Sequence, residues 1–174
     1  MRNSLAFLPL LLLLPLHAGG DDAAVVWSEN EEGDGDHRKG EFYVSDSGCA
    51  YEAMADPRRM GTVLKHLEGV TVHSEKDGWQ DVTLTERFFP VGIVESRYHR
   101  QRVDGKKHLE WKLVEGRQAR HDGFWDVVPD GDGARVVFEN TIEAKSFLHR
   151  SLLRSIQRRA MADIANDISA HCGR

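Results

Sequence analysis

The sequence lacks the patterns that mark the commonest catalytic and nucleotide-binding sites. It has no Gly-x-Ser-x-Gly nucleophile motif, no glycine-rich phosphate loop and no cysteine pair at zinc-binding spacing. The chain has nine histidines, but His99, His108 and His121 have no metal-ligand partners close in sequence. We therefore expect no catalytic residues of a known motif, no metal site and no cofactor.

An excess of basic residues is also missing. The chain has 23 Lys and Arg against 28 Asp and Glu, a net charge of −5, which disfavours a general nucleic-acid binder. Cysteine is limited to Cys49 and Cys172. In an oxidising compartment these two would form a disulfide, and the alternative is two small buried apolar residues.

No apolar run is long enough to cross a membrane as a helix. The longest, from Leu5 to Leu16, has 12 residues and is broken by two prolines, whereas a spanning helix needs about 20. It follows Arg2 and precedes the small residues 18–20, the three-part pattern of a secretory signal peptide. We expect cleavage near Ala18, so residues 1–18 predict a secreted or periplasmic protein.

The remaining composition is that of one globular domain, with 40% hydrophobic and 29% charged residues in a chain of 174. Residues 19–36 are acidic and rich in glycine, and predict a flexible leader or, around the apolar run 23–27, one edge strand. We expect the folded domain over residues 37–172.

Alternating apolar residues predict seven strands separated by turns. The first covers residues 40–47. The other six cover residues 70–76, 79–89, 93–103, 108–115, 119–129 and 134–144. Between the first strand and the rest, the period changes and predicts two short helices, one ended by Asp56 and Pro57, the other containing Met60, Val63, Leu64 and Leu67 and closed by Gly69.

The last stretch, residues 147–172, predicts one long amphipathic helix of about 39 Å. Its apolar stripe steps by four and is filled by a second row: Leu148, Leu152, Ile156, Ala160, Ile164, Ile168 and Cys172, then Leu153, Met161 and Ala165. An arginine row formed by Arg150, Arg154, Arg158 and Arg159 predicts a solvated face, or a peripheral contact with an anionic membrane or partner. The predicted fold class is α+β, a curved seven-stranded antiparallel sheet wrapped around this helix.

Two segments carry a resemblance to a known superfamily. FYVSDSGCAYEAMADPRRMGTVLKHLEGV runs from a strand through two short helices, and EWKLVEG is followed by GFWDVVPDGDGARVVFENTI before the last helix. Both resemble the START-like or Bet v 1-like superfamily (SRPBCC), including its polyketide cyclase/dehydrase and coenzyme-Q-binding START-like branch. The resemblance covers nearly all of residues 37–172 and implies a helix-grip fold with a deep apolar cavity between sheet and helix.

If such a cavity exists, the in-phase apolar residues should line it, with a few polar groups that orient a ligand. The apolar candidates are Phe42, Val82, Leu84, Phe88, Leu109, Trp111, Leu113, Trp125, Val127, Phe138, Ile142, Leu152, Ile156 and Met161. The polar candidates are Glu86, Tyr98, His121 and Asn140. The alternative for the apolar set is a filled core, and for Glu86 a register irregularity that leaves it wet or salt-bridged.

Three functions fit these patterns. The first hypothesis is an exported, non-enzymatic carrier of a lipid or another hydrophobic molecule, quinone-like, acyl or aromatic. The second is a cyclase or aromatase that uses Glu86, His121 or Tyr98 as general acid or base in the same cavity. The third is a protein-interaction module with a filled core. The sequence does not decide the oligomeric state.

Overall fold

A computed structural model describes residues 26–30, 36–88, 92–103, 105–145 and 150–173, without the side chains of residues 26–30, 36 and 150–154. The predicted signal peptide lies outside the described residues. The elements in chain order are β1 Val26–Asn30, β2 Asp36–Val44, α1 Ser47–Ala55, α2 Pro57–Val63, β3 Leu67–Lys76, β4 Trp79–Phe88, β5 Gly92–Val103, β6 His108–Glu115, β7 Gln118–Asp130, β8 Gly133–Ala144 and α3 Arg150–Cys172.

The strands form one antiparallel sheet in the order β1-β2-β8-β7-β6-β5-β4-β3. The α+β helix-grip prediction is confirmed: seven of these strands are the predicted ones, and α3 lies against their inner face. An eighth strand, β1, pairs with β2 at the sheet edge. It lies within residues 19–36, for which the sequence predicts either a flexible leader or one edge strand.

The two short helices begin at aspartates. Asp46 accepts hydrogen bonds from the backbone N–H groups of Gly48 (2.8 Å) and Cys49 (2.9 Å) at the start of α1. Asp56 ends α1 and caps α2 by accepting from Arg58 N–H, with Pro57 in the first helical position. Asp56 is therefore both the C-cap of α1 and the N-cap of α2.

The predicted end of the second helix was wrong. We expected α2 to reach Gly69, but it ends at Val63, and Leu67 already belongs to β3. The buried Leu64 supplies the C-cap. Leu64 and Leu67 are apolar because both line the internal cavity described below, so their spacing imitates a helical turn.

Helix α3 buries the stripe Met161, Ala165, Ile168 and Cys172. The parallel row Ile156, Ala160 and Ile164 is only half-buried. Leu148 lies outside the described residues, and the side chains of Leu152 and Leu153 are not described. Among the helices that the structure describes, none is long and apolar enough to cross a membrane.

The C-terminal end of α3 is attached to the start of α1. Cys49 and Cys172 form a disulfide with an S–S distance of 2.01 Å. Beside it, the backbone N–H groups of Ser45 and Asp46 donate to the carbonyls of Gly173 (3.1 Å) and Cys172 (3.3 Å). One covalent bond and two hydrogen bonds therefore hold this end of the helix.

Candidate functional site

A cavity of about 180 Å³ lies between the inner face of the sheet and α3. Its walls come from β3 to β8 and α3, with Met54 of α1 and Met60 of α2 at one end. The predicted site residues found in its wall are Leu84, Glu86, Phe88, Tyr98, Leu109, Trp111, His121, Trp125, Phe138, Asn140, Ile142, Ile156 and Met161. The core is therefore not filled throughout.

Four predicted residues do not line the cavity. Phe42, Val82 and Val127 are buried in the surrounding core, and Leu113 is a half-buried residue packed against it. Phe42 lies behind the wall, with its ring centroid 5.7 Å from that of Trp125 and 6.2 Å from that of Phe138. The alternation of apolar residues identifies the inner face of a strand. It does not show which inner-face residues are separated from the cavity by a larger neighbouring side chain. The side chain of Leu152 is not described.

The sequence prediction of the site missed several wall residues. They are Met54, Met60, Leu64, His66, Leu67, Val94, Arg100, Arg117, Gln118, Gln157, Ala160 and Ile164, of which Ala160 and Ile164 were predicted only as part of the helix stripe. Val94 and Arg100 are an even number of residues from Tyr98, so alternation along β5 would have placed all three on the same face. Helical spacing would have found Gln157, one turn before Met161.

Tyr98 and His121 form a hydrogen-bonded pair in the cavity wall. The Tyr98 hydroxyl lies 2.9 Å from Nδ1 of His121, and the rings meet edge to face at 5.5 Å. Burial raises the pKa of Tyr98 well above its usual value, with the Glu86 charge adding to the rise. Burial also lowers the pKa of His121, although the charges of Glu86 and Asp122 oppose this. The pair is therefore neutral near pH 7.

Glu86 lies in the wall beside His66. Its Oε1 is 3.5 Å from Nε2 of His66, and the side chains are only 14% and 12% exposed, respectively. Strand β3 has an irregular register here, between Leu67 and Gly69, directly opposite Glu86. The His66 ring is tilted against that of Phe88, with the two centroids 5.8 Å apart. Nδ1 of His66 has no hydrogen-bond partner among the described residues.

Asn140 of β8 and Gln157 of α3 join the sheet to the helix. The amide of Gln157 donates to Oδ1 of Asn140, and both side chains are buried. Oε1 of Gln157 has no partner within the described part of the chain. The acceptor of Gln157 is thus left unsatisfied inside the wall.

Arg100 lies at the end of the cavity nearest α1. It is 3% exposed, and its Nη2 donates to the carbonyl of Met54 in the last turn of α1. Beside it, Gln80 donates to the carbonyl of Ala55 at 3.1 Å. Burial, with the charge of Arg102, lowers the pKa of Arg100 to about 10. The guanidinium therefore stays ionised at neutral pH.

The opposite end of the cavity is the more accessible one. Arg117 in the β6–β7 turn lines the cavity and is exposed, and Phe88 and Ile156 are half-buried. By contrast, Leu109 and Trp125 deeper in the wall are 0% and 2% exposed. Lys145 donates to the carbonyl of Gly116 at 2.8 Å on this rim. Among the described residues, no group of His, Cys, Asp and Glu side chains could hold a metal ion.

A family model described as "Polyketide cyclase / dehydrase and lipid transport" matches residues 48–169, more than half of the chain. The chain belongs to this family. The predicted membership of the START-like, Bet v 1-like superfamily is thereby confirmed. A search of the curated proteins found no match to this chain.

Solved structures share the fold at low identity. The Zhui aromatase/cyclase from Streptomyces sp. R1128 is 15% identical, with a TM-score of 0.74 over 79% of this chain and 93% of that one. A START superfamily protein from Mycobacterium smegmatis is 9% identical, with a TM-score of 0.69 over 78% and 96%. Ginseng major latex-like protein 151 from Panax ginseng is 16% identical, with a TM-score of 0.68 over 82% and 100%. At these identities the likeness shows the fold alone.

Proposed function

We propose that this family member binds and carries a hydrophobic small molecule in the cavity between the sheet and α3. The observation that carries the proposal is the apolar wall, to which both α3 and the inner face of the sheet contribute. Moving apolar ligand surface from water to such a wall contributes about 25 cal/mol per Å² before the cost of association. The family description, which includes lipid transport, agrees with this role.

The size of the cavity narrows the ligand class. A dry apolar cavity of about 150 Å³ holds one benzene molecule, and this cavity has about 180 Å³. A compact aromatic or quinone-like ring, or a short acyl chain, therefore fits better than a long-chain lipid. The polar groups of Glu86, Tyr98, His121 and Asn140 would orient it.

We also propose that the carrier acts outside the cytoplasm. The leader over residues 1–18 has the composition of a signal peptide, and a disulfide between Cys49 and Cys172 suits an oxidising compartment. Intact-mass analysis of the protein from its own cells tests this. A mature chain that begins near residue 19 and is two mass units lighter than the dithiol is the expected result, and a full-length reduced chain would contradict it.

Native mass spectrometry with denaturing extraction tests the carrier function. Protein purified from its native source is expected to carry a stoichiometric hydrophobic molecule that the extraction identifies. A bare protein that also fails to bind aromatic compounds, quinones and short fatty acids would overturn the proposal. A protein-interaction role would then become the better account.

A second candidate function is enzymatic, a cyclase-type reaction in the same cavity. The observation that favours it is the neutral Tyr98–His121 pair, because a neutral imidazole accepts a proton and a neutral phenol donates one. In an aldol-type cyclisation, His121 would remove the proton next to one carbonyl. The enolate carbon would attack a second carbonyl, and Tyr98 would protonate its oxygen. Loss of turnover in Tyr98→Phe and His121→Gln with ligand binding retained would distinguish this from carriage.

A further inference from the structure

Arg100 is a buried cation in the cavity wall. Among the residues that the structure describes, no carboxylate lies within salt-bridge distance of its guanidinium, although the side chain is 3% exposed. Isolated buried charges are costly, so proteins normally pair them or satisfy every donor. Arg100 is therefore unusual for a residue in an apolar wall.

What surrounds Arg100 compensates the charge only in part. Nη2 donates to the Met54 carbonyl, and the C-terminal end of α1 carries partial negative charge. The carboxylates of Asp56 and Glu75 act from a distance, and the charge of Arg102 opposes them. Nη1 has no hydrogen-bond partner among the described residues. The buried cation thus keeps N–H groups without a partner, and its charge is only partly compensated.

The rest of the wall near Arg100 screens its charge only weakly. Met54, Met60 and Leu109 line the same end of the cavity, and none of them brings a charge. A charge interaction surrounded by apolar groups is screened far less than one in water. Among the wall residues that the structure describes, Glu86 carries the only carboxylate. Strand β4 pairs Glu86 with Val94, six residues from Arg100 along β5, or about 20 Å of strand.

We propose that the ligand of this cavity is an amphiphile with an acidic head group, a carboxylate that pairs with the guanidinium of Arg100 in the cavity wall. The apolar body then extends along α3 toward the accessible end. Glu86, at the other end of the inner face, disfavours the reverse orientation by like-charge repulsion. This inference rests on the proposed carrier function and specifies which molecules the carrier selects.

Matched acid and amide probes test the head-group preference on the wild-type protein. Naphthalene-2-carboxylic acid and naphthalene-2-carboxamide have nearly the same shape, as do benzoic acid and benzamide. Isothermal titration at pH 7 is expected to show each acid binding at least about tenfold more tightly than its amide. Equal binding of acid and amide would overturn the head-group proposal and leave the carrier function standing. If neither probe binds, nor any compound of the wider panel, the carrier function itself fails.

Two variants test whether Arg100 is the cause of the preference for the acid over the amide. Arg100→Met is expected to abolish the acid-over-amide ratio, whereas Arg100→Lys, which keeps the charge, is expected to retain part of it. Because Arg100 also holds the end of α1, thermal unfolding must show that each variant is folded. If Arg100→Met does not fold, the ¹³C shift of a labelled carboxyl bound to the wild type decides. It should remain that of the ionised form below the pKa of the free acid, and protonation at the free-acid pKa would contradict the proposal.

Discussion

The Tyr98 hydroxyl and Nδ1 of His121 lie 2.9 Å apart across strand β6, inside the wall of the cavity. Tyr98 comes from β5 and His121 from β7. Neither residue belongs to a recognisable sequence motif. The curvature of the sheet brings them together, and the surrounding apolar groups keep both neutral.

The buried His121 should make the protein less stable in mild acid. Burial lowers the pKa of His121 from its ordinary value of about 6.5, so below pH 6.5 the unfolded chain binds a proton that the folded chain resists. The free energy of unfolding therefore falls as the pH drops from about 6.5 toward the lowered pKa. Denaturant unfolding from pH 7.5 to 5 should show this slope, and His121→Gln should reduce it. An unchanged slope in that variant would contradict the assignment.

His108 should show the opposite dependence and is the natural comparison. Burial tends to lower the pKa of His108, but its hydrogen bonds with Asp126 (2.5 Å) and Glu110 (3.1 Å) outweigh this and raise it. Its contribution to stability is therefore present below about pH 6.5 and lost as the pH rises through the raised pKa. The same Gln substitution at His108 should lower stability at pH 6 more than at pH 8. A loss that is equal at both values would refute the pairing.

Removing the disulfide should destabilise the whole domain. Cys49 and Cys172 are 123 residues apart in sequence, so the bond constrains a long loop of the unfolded chain. The double variant Cys49→Ala/Cys172→Ala, or reduction of the wild type, is expected to cost about 2–5 kcal/mol of unfolding free energy. Chemical denaturation with and without reductant measures it, and the double variant serves as the control because reductant should not affect it. Equal stability of reduced and oxidised wild type would contradict the prediction.

Gly123 should tolerate no side chain. A Cβ there would lie 2.3 Å from the carbonyl oxygen of Glu139 and 2.5 Å from Cζ2 of Trp111. Gly123→Ala is therefore expected to cost about 1–3 kcal/mol and to change the emission of Trp111 in the cavity wall. Gly61→Ala in α2 is the matched control, because its nearest neighbour is 3.6 Å away and alanine favours a helix. Equal stabilities of the two variants would show that Trp111 does not pack against Gly123.

The strands and α3 could be predicted because their burial follows a simple period. His108–Glu115 was predicted with the bounds observed, and β5 shows Val94, Ser96, Tyr98 and Arg100 all buried in one phase. The end of α2 could not be predicted in this way. Leu64 and Leu67 continue a helical spacing, but the cavity between the elements, rather than a helix face, explains why they are apolar.

The site could be predicted only in outline. Alternation placed Leu84, Glu86 and Trp125 in the cavity wall. It could not find His66, which lies in the turn before β3, or Gln118, which lies at the irregular start of β7. Nor could it indicate that Arg100 would be buried, since arginine is usually exposed. Partners such as Met54 for Arg100 come from tertiary packing, which no local pattern encodes.

A pair of leucine substitutions on α3 tests most directly whether the cavity binds a ligand. Ala160 lines the cavity, whereas Ala170 on the same helix is exposed, so Ala160→Leu fills the cavity and Ala170→Leu adds the same group in solvent. Quenching of tryptophan fluorescence by naphthalene-2-carboxylic acid, measured on variants shown to be folded, should give at least about tenfold weaker binding for Ala160→Leu. Ala170→Leu should bind like the wild type. A folded Ala160→Leu protein that binds as tightly as the wild type would contradict the account.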